Sequence, residues 1–482
     1  MEYRQKNYTS KTKLFADSLI VNAASLIEKS FFFIANIIIA RYLSIEHFGE
    51  YSTALSFATF FSIMTDIGIN VTLVRALNLD SKHQNQHFTN AFVVKLVLSA
   101  LMYGIMAISL FFVGYSRDVI YLTLILGMVR IGNEFMKTYY AVDEARQKFL
   151  FPSLVNSIYV VFFLAGIATV ILYKGNYYHI CVVRLVIVYL FIAFLSVYTL
   201  RKFTFSFNTE LFKKFVISAI PFSIITVLWN FAFRINVIIL SIITGTTSVG
   251  IFSNSLIFID TLSIIPGNLR RITMPVLYKA LQKNDNNRFQ FAFDSMSKYF
   301  SILSFYIMIL LYIFARDIIQ MIFGSKYNDS IAVLQILSFA VPFVFNIATI
   351  IIIGLDKQSV LSAILVIATA INIIANIILI RLFGVLGAAY SVVVTYGVIF
   401  VFGHWYLYTY HKLRLNRILI RYCLLMIISV LMYWVNSFPV IANMKFYFSG
   451  IIISALFVIF VFLVLINKDD VRLVKEMLKM SR

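Results

Sequence analysis

Charged residues inside long apolar segments are the first feature of this 482-residue sequence that suggests chemistry. Six of them lie well inside such a segment: Glu28, Lys29, Asp66, Arg130, Arg234 and Asp260. On insertion scales, a charged side chain at the centre of a membrane helix costs about 2.5–3.5 kcal/mol or more, so such residues face a wet cavity or a partner. The cations suit an anionic ligand, whereas the acids suit a coupling ion if they titrate.

The candidate site residues fall into two chemical groups. The cations that we expect at an anion site or at its entrance are Lys29, Arg234, Arg130, Arg75, Arg270 and Arg271. The acids that are candidates for ion coupling are Glu28, Asp66 and Asp260. Lys29 and Arg234 fall in equivalent spans of the two lobes that an internal repeat predicts, as described below, and they could therefore face each other across one cavity.

Some of these residues also have a structural interpretation. Glu134 follows Arg130 by four residues on the same helical face and could neutralise it. Lys95 and Arg184 are nearer to the ends of their segments, so we expect their side chains to extend to the membrane interface. The three arginines at segment ends, Arg75 and the Arg270–Arg271 pair, could equally be topology signals.

Residues for other kinds of chemistry are scarce. The sequence has no nucleotide-binding loop, HExxH, GxSxG or loop with paired carboxylates, and we do not expect an enzyme. The two cysteines stand in apolar runs and the six histidines are scattered, so no metal or cofactor is expected. The net charge of +20 is dispersed along the chain, which argues against a nucleic-acid-binding patch.

Composition requires a membrane. The chain is 61% hydrophobic and 13% charged, against roughly 45–50% apolar and about 25% charged for soluble domains. Apolar segments long enough to cross a bilayer predict an all-α integral membrane protein with about fourteen spans: 14–42, 49–78, 90–114, 118–140, 150–173, 178–200, 213–243, 248–277, 297–323, 330–354, 359–381, 385–410, 418–439 and 446–466.

The positions of the basic residues predict the orientation. With a cytoplasmic N-terminus, 29 of the 41 lysines and arginines lie in inward segments and 7 in outward ones, the remainder being inside spans. Cytoplasmic loops are enriched in Lys and Arg in this way. We therefore expect both termini on the cytoplasmic side.

An internal repeat predicts two lobes. The turn Asn36–Ser52 aligns with Asn236–Ser253 if one gap is allowed, and a third version is found at Ile380–Ser391. Glycine in these turns permits close approach of the backbones. An even number of spans separates the repeats, so the two lobes have the same orientation, and substrate paths lie between such lobes.

The repeat divides the chain into six predicted regions. They are an N-tail (1–13), an N-terminal lobe with helices 1–6 (14–200), a connector (201–212), a C-terminal lobe with helices 7–12 (213–410), helices 13 and 14 (411–466) and a C-tail (467–482).

At these residues the sequence resembles the O-antigen flippases of the polysaccharide transporter family, whose superfamily also holds multidrug extrusion transporters. The similar segments span nearly the whole chain and include Ala40–Tyr51, Asp66–Asn70, Arg234–Leu240, Ile322–Tyr327 and Asn372–Asn376. One departure concerns Asn236, because family members often carry Asp two residues after this Arg.

The resemblance implies a function and a location. The expected substrate is an undecaprenyl-pyrophosphate-linked O-antigen unit, moved by alternating access from the cytoplasmic to the periplasmic leaflet of the bacterial inner membrane. Its pyrophosphate would be the anion that the Lys and Arg candidates bind. The expected partners are an O-antigen polymerase and a chain-length regulator, with no nucleic acid.

A second function on the same fold is an ion-coupled antiporter of small, multidrug-type molecules. Cationic drugs require acids in the cavity, whereas Lys and Arg are at least as prominent in the central segments here. This comparison favours an anionic substrate.

Overall fold

The computed structural model describes residues 27–80, 82–201, 203–267, 286–411, 413, 416–442 and 444–465. The elements of these ranges are helices joined by short turns. Up to Leu262 they are α1 (27–42), α2 (Ile45–Ile63), α3 (Ile69–Leu79), α4 (Gln84–Val113), α5 (Arg117–Ala145), α6 (Leu150–Leu172), α7 (Tyr177–Leu200), α8 (Thr209–Thr244) and α9 (Thr246–Leu262).

The second part of the chain continues the pattern with long helices and several short ones. They are α10 (Asn286–Ile313), α11 (Ala315–Phe323), α12 (Ser330–Ser338), α13 (Val341–Val344), α14 (Ile347–Gly354), α15 (Gln358–Phe383), α16 (Val385–His411), α17 (Asn416–Asn436), α18 (Pro439–Ala442) and α19 (Phe446–Leu465). A single 3-10 turn, Ser325–Tyr327, follows α11.

Within the described ranges, eleven helices are long and apolar enough to cross a membrane, or twelve if the bent pair Ser330–Ser338 and Val341–Gly354 is one span. Helices are required because lipid offers no partner for backbone N–H and C=O groups. The prediction of an all-α, multi-pass membrane protein is confirmed.

The number of spans stays a prediction at fourteen. Of the predicted span 14–42, only residues 27–42 are described. The predicted span 49–78 is two helices, α2 and α3, separated by a break at residues 64–68 in which Gly68 has φ +67°. The predicted span 297–323 is also divided, because α10 ends at Ile313 and a short helix follows Phe314.

Local sequence explains where several helices begin. Ser44, Ser116 and Asn208 each precede a helix, and their side-chain oxygens accept a hydrogen bond from a free backbone N–H of its first turn. Asn176 does the same for α7, where His179 completes a capping box. Gly114, with φ +76°, ends α4.

The chain forms two compact units. The first comprises Met1–Ile257 with Leu365–Ser391, and the second comprises Phe258–Ile364 with Val392–Arg482. In the first unit, α3 to α7 pack around an apolar core that includes Leu73, Val129 and Val188, none of which has any exposed surface. The predicted lobe boundaries, 14–200 and 213–410, stay a prediction.

The aligned glycines of the internal repeat lie against each other in this first unit. A Cβ at Gly49 would overlap the carbonyl oxygen of Thr246 and lie 3.0 Å from the nitrogen of Gly250. A Cβ at Gly250 would likewise overlap the carbonyl oxygen of Ile45. The beginnings of α2 and α9 therefore touch through their backbones.

The second unit is held by polar contacts between its helices. The Arg417 guanidinium lies 3.2 Å from an Asp294 carboxylate oxygen, and Arg421 donates to the Asp294 carbonyl at 2.8 Å. Tyr306 donates to Ser454 at 2.9 Å. These contacts attach α17 and α19, the last two predicted spans, to α10.

Candidate functional site

A cavity of about 350 Å³ lies within the first unit. We call it the N-terminal cavity. Its lining comes from α1, α2, α5, α6 and α7 and consists of Glu28, Phe32, Asn36, Tyr51, Leu55, Arg130, Asn133, Glu134, Met136, Lys137, Tyr140, Asn156, Tyr159, Phe163 and Arg184. Ligand pockets of this size with a few convergent polar groups are typical binding sites.

Arg184, on α7, is the most enclosed cation of the cavity. It is 5% exposed, and its Nη1 donates to the hydroxyl of Tyr51 at 3.0 Å. Its guanidinium carbon lies 4.8 Å from the centre of the Phe163 ring, where a cation–π interaction is favourable. Neither contact neutralises the charge, so Arg184 presents a positive charge to the cavity.

Arg130 brings a second guanidinium to the same cavity from α5. Its Nε is buried and has no hydrogen-bond partner among the described residues. Both Arg184 and Arg234, on α8, are close enough to repel its charge. Like charges that are taken out of water destabilise one another, and a bound anion relieves this repulsion.

Two acids stand at another part of the lining. The Glu134 carboxylate pairs with Lys137 at 2.6 Å, so the predicted pairing of Glu134 with Arg130 is wrong. The Asn156 side chain and the charges of Lys29 and Lys137 act on the Glu28 carboxylate. With Lys137 engaged by acids, the two arginines keep an excess of positive charge in the cavity.

Asp66 lies in the break between α2 and α3 and forms an ion pair with Lys95. The two groups are 3.0 Å apart, and the Lys95 side chain is 0% exposed. The prediction that Lys95 and Arg184 extend to the interface is wrong, because both side chains point into the protein. A lysine buried in this way needs a partner, and Asp66 supplies it.

The other predicted site residues do not line the N-terminal cavity or lie outside the described residues. Lys29 is an exposed neighbour of Glu28 but does not line the cavity, and Arg234 is half-buried. Arg75 on α3 and Asp260 on α9 are exposed. Arg270 and Arg271 lie outside the described residues.

Asn236 belongs to a buried cluster of amides. Asn376 donates to the Asn236 side-chain oxygen and, at 2.9 Å, to the Asn372 carbonyl, and all three residues are 0% exposed. The cluster ties α8 to α15 through neutral groups. The Asn that departs from the family pattern thus takes part in contacts between helices.

The apolar helices of the described ranges define a multi-pass membrane protein. Residues 14–284, more than half of the chain, match the family described as polysaccharide biosynthesis protein. The chain therefore belongs to the polysaccharide biosynthesis protein family. A segment of 173 residues is 29% identical to an uncharacterized membrane protein of Methanocaldococcus jannaschii and covers 35% of this chain and 34% of that protein. The match thus spans about a third of this curated relative.

Solved structures share the fold. The lipid II flippase MurJ in an inward closed conformation has a TM-score of 0.75 at 17% identity, over 92% of this chain and 98% of that one. A multidrug resistance transporter of the MATE family, in an inward-facing conformation, has a TM-score of 0.63 at 14% identity, over 82% and 99%. At these identities the likeness concerns the fold alone.

Sequence reasoning missed the role of three residues in this region. Arg184 and its partner Tyr51 lie 133 positions apart, and no local pattern joins them. Tyr140 also lines the cavity with a buried hydroxyl that has no partner among the described residues. The available signal was the presence of Arg184 inside an apolar segment.

Proposed function

We propose that this protein is a flippase that moves undecaprenyl-pyrophosphate-linked O-antigen units from the cytoplasmic to the periplasmic leaflet of the bacterial inner membrane. The observation that carries the proposal is the group of arginines, Arg130 and Arg184 with Arg234 close by, at a cavity in a polysaccharide biosynthesis family member.

Pyrophosphate suits this cavity because guanidinium groups donate forked hydrogen bonds to phosphate oxygens. The unpartnered Nε atoms of Arg130 and Arg184 provide two such donors. Low local polarity strengthens their attraction for the anion. Arg130 and Arg184 therefore bind the pyrophosphate, and Lys29 and Arg234 contribute a positive field beside it.

The remaining lining suits the sugar that is linked to the pyrophosphate. Asn133, Asn156 and Tyr140 offer donors and acceptors for hydroxyl groups. Glu28 is the coupling acid in this scheme, since it shares the cavity with the arginines. Arg75, Arg270 and Arg271 gather the pyrophosphate from the inner leaflet, and an O-antigen polymerase and a chain-length regulator act on the product.

The alternative is an ion-coupled antiporter of small cationic molecules. Glu28 and Glu134 in the same cavity favour it, as does the fold shared with the MATE transporter. Lys137 pairs with Glu134, however, and neither Arg130 nor Arg184 forms an ion pair with a carboxylate in the described part of the chain. The balance of charge therefore supports the anionic substrate.

Complementation tests the proposal. In a strain that lacks its own O-antigen flippase, the wild-type chain is expected to restore surface polysaccharide, and Arg130→Gln is expected to abolish this at equal protein level. Arg117→Gln is the matched control, because Arg117 is exposed at the beginning of the same helix. Restoration of surface polysaccharide by Arg130→Gln would contradict the assignment of Arg130 to the substrate site. Failure of the wild-type chain in several O-antigen backgrounds, together with drug efflux, would favour the antiporter.

A further inference from the structure

Lys95 occupies a site made entirely of oxygen atoms. Its ammonium group lies 3.0 Å from an Asp66 carboxylate oxygen and 3.3 Å from the Asn70 side-chain oxygen. It also donates to the Glu134 carbonyl at 2.7 Å and to the Thr138 hydroxyl at 2.8 Å. One carboxylate is enough to neutralise a buried lysine. Because this ammonium group has four oxygen atoms around it, its surroundings form a site for a compact cation.

The four oxygens come from three parts of the fold that meet at Lys95. Asp66 stands in the break between α2 and α3, Asn70 is in the first turn of α3, and Glu134 and Thr138 are one turn apart on α5. Thr138 also donates to Asn70 at 2.9 Å. The cation on α4 thus fixes α5 against the broken span.

The α5 segment that Lys95 holds is the one that lines the N-terminal cavity. Glu134 gives its carbonyl oxygen to Lys95, while its carboxylate pairs with Lys137 in the cavity lining. Arg130 lies one turn earlier on the same helix. A displacement of α5 at residue 134 therefore moves the phosphate-binding guanidinium as well.

We propose that the Lys95 ammonium is a built-in cation that positions α5 for substrate binding, and that its oxygen site accepts a free alkylammonium ion when the lysine side chain is removed. Lys95 does not touch the substrate, so it is a positioning residue. The inference rests on the proposed function, because it takes the N-terminal cavity as the pyrophosphate site.

Chemical rescue tests the inference in the full-length purified protein. The measurement is the affinity for inorganic pyrophosphate by calorimetry, together with the melting temperature, for wild type and Lys95→Ala. We expect Lys95→Ala to bind pyrophosphate about tenfold more weakly or worse, because small misplacements of binding groups are costly. n-Propylammonium, which replaces the atoms lost beyond Cβ, is expected to restore the affinity. Tetramethylammonium, which has no N–H donor, is expected to restore nothing.

Several results would overturn the inference. The first is that Lys95→Ala binds pyrophosphate with wild-type affinity, and the second is that n-propylammonium does not reverse the loss of affinity. The third is that n-propylammonium restores the melting temperature but not the affinity, which would mean that Lys95 is purely structural. Lys148→Ala, which removes an exposed lysine from the turn between α5 and α6, is the control for general loss of charge. If Lys95→Ala does not fold, the double variant Asp66→Asn with Lys95→Met, which removes both charges, is used instead. Weak pyrophosphate binding by this variant supports a positioning role for the Lys95 cation, and wild-type affinity refutes that role.

The failure of the proposed function gives a different pattern. Arg130→Gln then binds pyrophosphate as wild type does, whatever the Lys95 variants do. If Arg130→Gln loses affinity and Lys95→Ala keeps it, the cavity is the anion site and only the positioning role is wrong.

Discussion

Arg184 illustrates how a full charge is kept inside an apolar helix without a carboxylate. Its contacts are a tyrosine hydroxyl and an aromatic ring, which orient the guanidinium but leave its charge available. Lys95 illustrates the opposite case, since Asp66 neutralises it and all its donors are engaged. The first arrangement suits ligand binding, and the second suits a structural or positioning role.

Arg184→Lys tests whether the guanidinium group of Arg184 contacts the anion. Lysine keeps the charge but loses the planar fork and the stacking on Phe163. Because a charged hydrogen bond contributes about 1.5–3 kcal/mol, the pyrophosphate dissociation constant should rise roughly 10- to 150-fold in calorimetry. Arg117→Lys should leave it unchanged. Wild-type affinity in Arg184→Lys would mean that Arg184 does not contact the anion.

The types of the important residues could be predicted from the sequence, but their environments could not. Insertion cost marks Asp66, Arg130 and Glu28 as exceptional in apolar segments. It does not say which face of a helix meets protein and which meets lipid, so the predicted interfacial position of Lys95 and Arg184 is wrong. Their partners, Asp66 and Tyr51, are 29 and 133 positions away.

Hydropathy predicts the existence and the approximate length of the membrane helices better than it predicts whether each helix is continuous. Nine of the twelve predicted spans from residue 90 onward each correspond closely to one long helix, whereas the span 49–78 is broken. The signal for the break was Asp66 followed by Gly68, a charge and a residue with positive φ in the middle of an apolar segment. The break creates the place in which Asp66 meets Lys95.

The contact of α2 with α9 predicts that an added methyl group at Gly49 destabilises the protein. Gly49→Ala should lower the melting temperature and the yield of folded protein in detergent, because its Cβ would overlap the Thr246 carbonyl. Gly104→Ala, inside α4, has nothing within 4 Å of its added Cβ and should be neutral or stabilising. Equal behaviour of the two variants would contradict the close approach at Gly49.

For the whole molecule, the distribution of basic residues predicts which ends of the helices face the cytoplasm. This orientation is a property of the loops, because Lys and Arg near the ends of spans stay on the cytoplasmic side.

Single-cysteine labelling tests this orientation. In a background with Cys181→Ala and Cys423→Ser, both Lys148→Cys and Lys326→Cys place a thiol at an exposed position. A membrane-impermeant maleimide should label Lys326→Cys in intact spheroplasts and Lys148→Cys only after permeabilisation. The reverse pattern would invert the orientation.

We propose that the arginines of the N-terminal cavity bind the pyrophosphate of a lipid-linked substrate while it crosses the membrane. The most direct measurement follows a labelled undecaprenyl-pyrophosphate-linked oligosaccharide between the leaflets of proteoliposomes that contain the purified protein. Movement with wild type and Arg117→Gln, and its loss in Arg130→Gln and Arg184→Gln, is the expected result. Movement that both cavity variants sustain at the wild-type rate, or no movement in vesicles that expel a cationic drug, would contradict the claim.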